Sequence, residues 1–325
     1  MKQEALKNLK DGARFTGFVL VRQWQKKTAK NGSSYVDMVV GDRTANLPAK
    51  IWDAKPADEV AAGEVIKVRG AVQAYKGQPQ IIVELWRKPS EQDQKEYDLE
   101  ELVPTAPVEA GKMFAEMKAY CARIGDEDLR ALAGELIEEH KDKLMYFPAA
   151  MKGHHALRGG LLYHTTTMLH AAEAMLGIYS FLNADLLYAG VLVHDLAKME
   201  EMDADETGSV GAYTVRGTLL GHINDMVAQI ALAAERVHAR QEAVTMLQHM
   251  VLAHHYEPEY GSPKRPLFPE AELLHHLDMI DARMYDMHRA LEGAEPGGFS
   301  ERLWSMQNRQ LYRSPDFYRE EEENR

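Results

Sequence analysis

The stretch GVLVHDLAKME, residues 190–200, places a histidine and an aspartate side by side in an apolar run that has the pattern of a helix. Burying His194 and Asp195 costs free energy unless each has a partner. Neighbouring side chains on a helix diverge by roughly 100°, yet both can reach one ion at the helix surface. The pair therefore predicts half of a metal site, and other residues must complete it.

Five predicted helices in the second part of the chain provide those residues. Helical periodicity predicts three of them over 157–176, 217–237 and 242–258. The other two begin near Asn183, which is a good N-cap, and at Pro269, which suits a first helical position. Each helix carries polar groups on an apolar stripe. The number of residues between successive groups is about that of one helix and the connection that leads back to the same end of a bundle. Such spacing lets the helices of a bundle direct one group each to a shared centre.

The candidate ligands are imidazoles and carboxylates. All 14 histidines lie between His140 and His288, and the single cysteine, Cys121, excludes a thiolate-rich site within one chain. Nitrogen and oxygen ligands favour Mn²⁺, Fe²⁺, Co²⁺ or Mg²⁺, or Zn²⁺ with an open position. The groups on the apolar stripes are His164, His194 with Asp195, His222, His254 with His255, and Asp278 with Asp281 three residues later.

Composition indicates a folded protein of about two domains. The 325 residues are 45% hydrophobic and 27% charged, which is ordinary for a globular protein. The net charge of −12 is unevenly distributed: residues 1–90 hold 16 Lys and Arg against 9 Asp and Glu, whereas the remainder holds 22 against 41. A basic module thus precedes an acidic one, and the first module can attract polyanions.

The basic module has the pattern of a small β-barrel, since five short strands with turn signals between them fit into fewer than 90 residues. The predicted strands are 14–24, 34–40, 46–52, 64–72 and 78–86. An OB-fold of this kind stacks bases on aromatic rings and follows a phosphate backbone with lysines. The alternative is that the aromatic residues are core and the lysines only solubilise a hairpin. The candidate nucleic-acid-binding residues are Trp24, Lys26, Lys27, Lys30, Tyr35, Trp52 and Tyr75.

The domain boundaries follow from changes in composition. We predict an OB-fold over 1–90, an acidic proline-containing linker over 91–110, an all-α metal-binding domain over 111–292, and a C-terminal extension over 293–325 that ends in a charged tail. No apolar stretch reaches the length of a membrane span, and the first residues lack the apolar core of a signal peptide. We therefore expect a cytoplasmic protein without a membrane partner.

The ordered polar groups resemble a known family. His164, then His194-Asp195, then Asp278 resemble the H…HD…D signature of HD-domain metal-dependent phosphohydrolases. The wider set looks like the YhaM-type 3′→5′ exoribonucleases, in which an HD domain follows an OB-fold, and the resemblance covers nearly the whole chain. The segments that carry it include DLEELVPTAP (98–107), HHALRGGLLYHT (154–165), HDLAKM (194–199), GHI (221–223), HHYEPEYGSP (254–263), LDMIDARM (277–284) and NRQLYR near the end.

The resemblance implies hydrolysis of single-stranded RNA, and of single-stranded DNA as a further candidate, to nucleoside 5′-monophosphates with two divalent ions, Mn²⁺ first among them. Carried over by position, His164, His194, Asp195 and Asp278 bind the first ion, and His222, His254 and His255 bind the second, with Asp195 bridging and Asp281 behind Asp278. We assign catalytic roles to Asp195 and Lys198. The candidate phosphate contacts are His155, Arg158, Lys198, Lys264 and Arg265.

Two other functions are compatible with the sequence. The same metal site can serve a phosphohydrolase of mononucleotides or cyclic nucleotides, which the extra barrel disfavours. A non-catalytic protein that binds single-stranded nucleic acid and uses the metals structurally belongs to a different class. Motifs for a nucleophilic serine or for an ATP-binding loop are absent from the sequence. A homo-oligomer is compatible with either function.

Overall fold

The protein folds as two compact units. The structure is a computed structural model, and it describes residues 3–29, 32–52, 60–75, 77–151 and 153–317. One unit comprises Met1–Thr105 with Asp205–Ser209, and the other comprises Ala106–Ala204 with Val210–Arg325. A closed β-barrel in the first unit and helices in the second confirm the predicted fold class.

Five strands form the barrel, and they agree with the five predicted runs. They are β1 (Arg14–Thr28), β2 (Ser34–Gly41), β3 (Asn46–Ile51), β4 (Val65–Tyr75) and β5 (Gln78–Arg87). The barrel closes in the order β1-β2-β3-β5-β4, with β3 and β5 parallel and the other neighbours antiparallel. Apolar side chains such as Val19, Val36 and Ile66 alternate into its interior and are fully buried. The parallel pairing of β3 with β5, at Ala49 with Ile81 and Lys50 with Ile82, closes the barrel.

The segment predicted as a linker, residues 91–110, contains ordered structure. A 3₁₀ turn spans Asp93–Lys95 and is followed by helix α1 (Leu99–Leu102). Asp93 is buried, and its carboxylate accepts hydrogen bonds from Arg87 and, at 3.1 Å, from Lys67 Nζ, both of which lie on barrel strands. One acidic residue of the segment predicted as a linker is therefore paired with basic residues of the first unit.

The second unit is built from helices around one apolar core, with fully buried residues such as Leu132, Leu187 and Met250. Asn183 caps its helix as predicted, because its side chain accepts the Leu186 N–H, and Pro269 opens the last helix. In the described part of the chain, no helix has the length and apolarity needed to cross a membrane. The helices are α2 (Ala110–Arg123), α3 (Glu127–Leu144), α4 (Gly160–Ile178), α5 (Ala184–Val193), α6 (Lys198–Glu201), α7 (Val215–Val237), α8 (Gln241–Ala253) and α9 (Pro269–Glu292), and a hairpin of β6 (Met202–Ala204) and β7 (Val210–Tyr213) lies between α6 and α7.

Two helices end earlier than predicted. Helix α5 stops at Val193, so His194 is its C-cap and Asp195 lies in the following turn, not inside a helix. Helix α8 stops at Ala253, and His254 is its C-cap. In both places the chain enters a tight turn, because the N–H groups beyond the helix bond to carbonyls only two or three residues back. The polar pairs therefore occupy helix ends, where the chain can turn their side chains inward.

The chain after α9 returns in a short hairpin. Bridges pair Phe299 with Tyr312 and Leu303 with Arg309, and Met306, in the turn between Leu303 and Arg309, is buried. The charged tail that we predict at the end, residues 319–325, lies outside the described residues.

Candidate metal centre and nucleic-acid surface

Three elements bring the first predicted ligand set together. His164 lies on the buried face of α4, His194 and Asp195 follow α5, and Asp278 lies on α9. His164 Nε2 is 3.4 Å from Asp278 Oδ1 and 3.7 Å from Asp195 Oδ2, and His194 Nε2 is 3.5 Å from the same Asp195 oxygen. These side chains are close enough to share one ion.

The second predicted set faces the other oxygen of Asp195. Asp195 Oδ1 is 3.5 Å from His222 Nε2 and 3.7 Å from His254 Nε2, and His255 places its ligand atom within 4.8 Å of the others. A kink in α7 directs His222 inward, because Gly221 has φ +69° and ψ 159°, a conformation that L side chains avoid. The two oxygens of Asp195 thus face two separate histidine sets.

Five buried polar atoms at Asp195 and the histidines around it have no hydrogen-bond partner. Among the described residues, seven buried side-chain nitrogen and oxygen atoms lack a partner, and five of the seven belong to this cluster. Buried polar atoms are nearly always satisfied, so such a concentration indicates groups that are arranged for a ligand. The five atoms are Asp195 Oδ1 and the Nε2 atoms of His164, His194, His222 and His254.

The opposite nitrogen of each imidazole is engaged, which determines the tautomer. A carbonyl oxygen can only accept, so an Nδ1 that bonds to one must carry the proton and leave the lone pair on Nε2. Metal-binding histidines are commonly oriented in this way by a carbonyl or a carboxylate. The Nδ1 contacts are His164 to Asp281 Oδ2 at 2.6 Å, His194 to Val191 O at 2.9 Å, His222 to Glu201 Oε2 at 3.0 Å, His254 to Val251 O at 2.7 Å and His255 to Tyr260 O at 2.7 Å.

The protonation states suit metal ligands. Burial raises the pKa of Asp195, but Lys198 and the surrounding imidazoles outweigh it and hold the pKa well below its usual value. Burial lowers the pKa of both His194 and His254. Near neutral pH Asp195 is therefore ionised and His194 and His254 are neutral, and in these states the three side chains can bind a divalent cation. We describe it as a candidate metal centre.

Asp281 supports the centre from behind. Its Oδ2 accepts hydrogen bonds from His164 Nδ1 and, at 2.7 Å, from His155 Nε2. Burial raises the pKa of Asp281, but these two histidines lower it overall. His155 is itself buried and stacks on Tyr285, with ring centroids 4.0 Å apart. In this structure His155 orients Asp281 and His164, and its predicted phosphate contact stays a prediction.

The barrel has a cluster of aromatic side chains on its surface, formed by Tyr35, Trp52 and Tyr75. The rings of Tyr35 and Trp52 lie 5.1 Å apart, and Lys50 Nζ is 5.4–5.7 Å from the ring centroids of Tyr35, Trp52 and Tyr75. Trp52 and Tyr75 are 47% and 58% exposed. Trp24 does not join this group, since it is half-buried against the barrel core and packs edge-on against Trp86.

Two of the predicted lysines, Lys26 and Lys27, lie on strand β1 in the first hairpin of the barrel. Lys27 forms an ion pair with Asp37 on the neighbouring strand, so its charge is partly neutralised. Lys26 precedes it on β1. Lys30 lies outside the described residues, and its predicted contact with nucleic acid stays a prediction.

Comparison with known proteins connects both units to families. Residues 14–88 match the OB-fold nucleic acid binding domain, and residues 161–283 match the HD domain. The chain is 37% identical to the 3′-5′ exoribonuclease YhaM of Bacillus subtilis (strain 168) over 310 residues, which cover 95% of this chain and 97% of that protein. The chain belongs to the YhaM 3′-5′ exoribonuclease family.

Other YhaM relatives agree over a similar length. YhaM of Bacillus velezensis is 37% identical over 94% of this chain and 96% of its own length. YhaM of Bacillus licheniformis is 36% identical over 93% of this chain and 95% of its own length. The resemblance predicted from the ordered histidine and aspartate motifs is thereby confirmed.

The remaining predicted site residues are the candidate phosphate contacts Lys198, Lys264, Arg265 and Arg158. Lys198 lies within the candidate metal centre, because its Nζ donates to Asp195 Oδ2 at 2.6 Å. Lys264 and Arg265 are exposed on the loop after α8, where Arg265 pairs with Glu257 at 3.3 Å. Arg158 is half-buried before α4, and its carbonyl accepts the Ala106 N–H.

Sequence reasoning missed several residues around the centre. Glu201 binds both the Nδ1 and the backbone N–H of His222, and Tyr260 and Ser262 bind His255. His154 is largely buried, and burial together with the charge of Lys198 lowers its pKa to about 4. The sequence offers one indication for Glu201, which is a carboxylate seven residues after His194 and therefore close to the His194-Asp195 pair along the chain. Only the fold shows that it meets His222.

Proposed function

We propose that this chain is a metal-dependent 3′→5′ exoribonuclease that degrades single-stranded RNA to nucleoside 5′-monophosphates. One observation carries the proposal: the two oxygens of Asp195 face separate histidine sets, in which the Nε2 atoms of His164 and His194 and those of His222 and His254 are buried without a partner. Membership of the YhaM family supplies the direction and the substrate class.

The centre suits two divalent ions, with Mn²⁺ as the first candidate. His164, His194 and Asp278 would hold one ion, His222, His254 and His255 would hold the other, and Asp195 would contact both. Two ions at such a site acidify water and neutralise charge that develops on phosphate oxygens. The donor set contains no thiolate, which also leaves Fe²⁺, Co²⁺, Mg²⁺ and Zn²⁺ as candidates.

Three charged side chains of the centre, Lys198, Glu201 and Asp281, would assist the candidate ligands in catalysis. Burial lowers the pKa of Lys198, but Asp195 and Asp278 raise it above its usual value, so its ammonium is present near neutral pH. This ammonium lies beside the candidate ligands and would bind a phosphate oxygen. Glu201 and Asp281 keep the imidazoles of His222 and His164 in the tautomer that directs Nε2 inward.

The barrel supplies the affinity for single strands that an acidic helical domain lacks. Tyr35, Trp52 and Tyr75 present rings for base stacking, and Lys50 adds positive charge between them. Because both modules belong to one chain, capture of a strand by the barrel raises its effective concentration at the metal centre. Stacking does not require a 2′-hydroxyl, so we extend the proposal to single-stranded DNA as a second substrate.

The test is hydrolysis of a 5′-labelled single-stranded RNA with added Mn²⁺. The wild-type protein should produce a ladder that shortens by one nucleotide at a time, with release of 5′-monophosphates, and Asp195→Ala should produce none. His170→Ala is the matched control, because His170 is an exposed histidine on α4 that pairs with Glu116 away from Asp195. Tight RNA binding by wild type without Mn²⁺-dependent cleavage would instead support a non-catalytic binding protein.

A further inference from the structure

The segment Tyr256–Ser262, directly after the candidate ligands His254 and His255, folds back onto His255. The His255 backbone N–H donates to Ser262 Oγ at 3.0 Å, and His255 Nδ1 donates to the carbonyl oxygen of Tyr260 at 2.7 Å. Ser262 is fully buried. The backbone of Tyr260 is therefore attached directly to a residue of the metal centre.

The same turn is held against the other side of the second ligand set. Gly261 has φ +95°, and a β-carbon there would lie 3.4 Å from Cδ1 of Ile223, the residue after His222. The Tyr260 N–H donates to the Glu257 carbonyl at 3.0 Å, which closes a 3₁₀ turn. The turn is thus attached to His255 by two hydrogen bonds and lies beside Ile223 in the kinked part of α7.

Tyr260 nevertheless exposes its ring. The side chain is 71% exposed, and its ring contacts no other aromatic ring within the part of the chain that the structure describes. Tyr256 in the same loop is different, because its ring contacts His275, with centroids 4.9 Å apart, and the Arg265 guanidinium at 5.2 Å from its centroid. One tyrosine braces the loop, whereas the other presents a free aromatic face on a rigid support beside the metal centre.

We propose that Tyr260 is a stacking platform for the base of the nucleotide whose phosphate is held at the Asp195 centre, an inference that rests on the proposed function. A ring on a fixed backbone binds a base with little loss of conformational freedom. Every nucleobase has a π-face, so such a platform accepts all four bases. This matches the needs of an enzyme that removes successive terminal nucleotides without regard to sequence.

The experiment compares ligands with and without a base. Binding of adenosine 5′-monophosphate and of ribose 5-phosphate is measured by calorimetry with Mn²⁺ present, for wild type, Tyr260→Ala, Tyr260→Phe and Leu267→Ala. Wild type and Tyr260→Phe should bind the nucleotide on the order of 10-fold more tightly than the sugar phosphate, and Tyr260→Ala should lose this preference. Leu267, 80% exposed on the same loop, is the control, and its variant should keep the preference.

An unchanged preference in Tyr260→Ala would overturn the inference. A variant that loses affinity for both ligands equally, together with affinity for Mn²⁺, would also overturn it, because Tyr260 would then act only by supporting His255. Cleavage of labelled RNA is measured in parallel on wild type. If that cleavage is absent while the preference for the nucleotide depends on Tyr260, the exoribonuclease proposal fails and the base site stands.

Discussion

The carboxylate of Glu201 offers a sharp test of how the second ligand set is oriented. Its Oε2 accepts from His222 Nδ1 at 3.0 Å, and its Oε1 accepts the backbone N–H of the same residue at 3.2 Å. Burial raises the pKa of Glu201, but the bonds to His222 lower it overall, so it is an ionised acceptor. Replacing Glu201 by alanine removes both bonds and leaves His222 free to rotate away from Asp195.

The expected effect is a loss of metal affinity confined to one site. A hydrogen bond to a charged group is worth roughly 1.5–3 kcal/mol, and removal of the partner of a metal-bound histidine commonly costs about 10- to 100-fold in affinity. We therefore expect Glu201→Ala to weaken one of two Mn²⁺ equivalents by this factor and to leave the other unchanged. Titration of Mn²⁺ against a chromophoric chelator measures both equivalents.

A neighbouring glutamate provides the control. Glu200 pairs with Lys143 Nζ at 3.1 Å on the surface, where such a pair contributes at most about 1 kcal/mol, so Glu200→Ala should bind Mn²⁺ like wild type. Wild-type affinity at both sites in Glu201→Ala would refute the reasoning. Loss of both sites together with a large drop in melting temperature would refute it too, since Glu201 would then support the fold and not one ligand.

Three further predictions concern the barrel and the kink. Trp52→Ala should weaken binding of single-stranded RNA by about 1–3 kcal/mol in a fluorescence titration, whereas Trp24→Phe should not, because Trp24 packs against the barrel core. Arg87, Ser90 and Lys67 hold the pKa of Asp93 below its usual range, so the contribution of Asp93 to stability should be complete above about pH 4 and should disappear as the pH falls further. Asp93→Asn should therefore lower the melting temperature at pH 7 and make the melting temperature fall less steeply as the pH is lowered. An unchanged pH dependence of the melting temperature in this variant would contradict the prediction. Gly221→Ala should reduce the free energy of unfolding in urea by about 1–3 kcal/mol, because alanine is strained at φ +69° and ψ 159°, and it should also weaken binding of Mn²⁺.

Local patterns predicted the strands and helices and identified many of the residues that the fold brings together in the candidate metal centre. The five strands follow from alternating apolar residues and turn signals, and Asn183 and Pro269 begin helices as their chemistry predicts. His164, His194 and Asp195 stood out because polar groups on apolar helices need partners. The same reasoning misjudged where helices α5 and α8 end, since a helix boundary depends on the turn that follows and not on periodicity.

The sequence by itself determined the two-module organisation, the ligand types and the order in which helices present them, because apolar periodicity and burial costs act over a few residues. Only the tertiary structure decided the partners of those ligands. Asp281 meets His164 across 117 residues, and Glu201 meets His222 across a hairpin and a kink. Tyr35, Trp52 and Tyr75 come from two strands and a turn of the barrel and gather around Lys50 on a third strand. Hydrogen bonds and ring contacts need a few ångströms of separation in space, and no pattern along the chain encodes that distance.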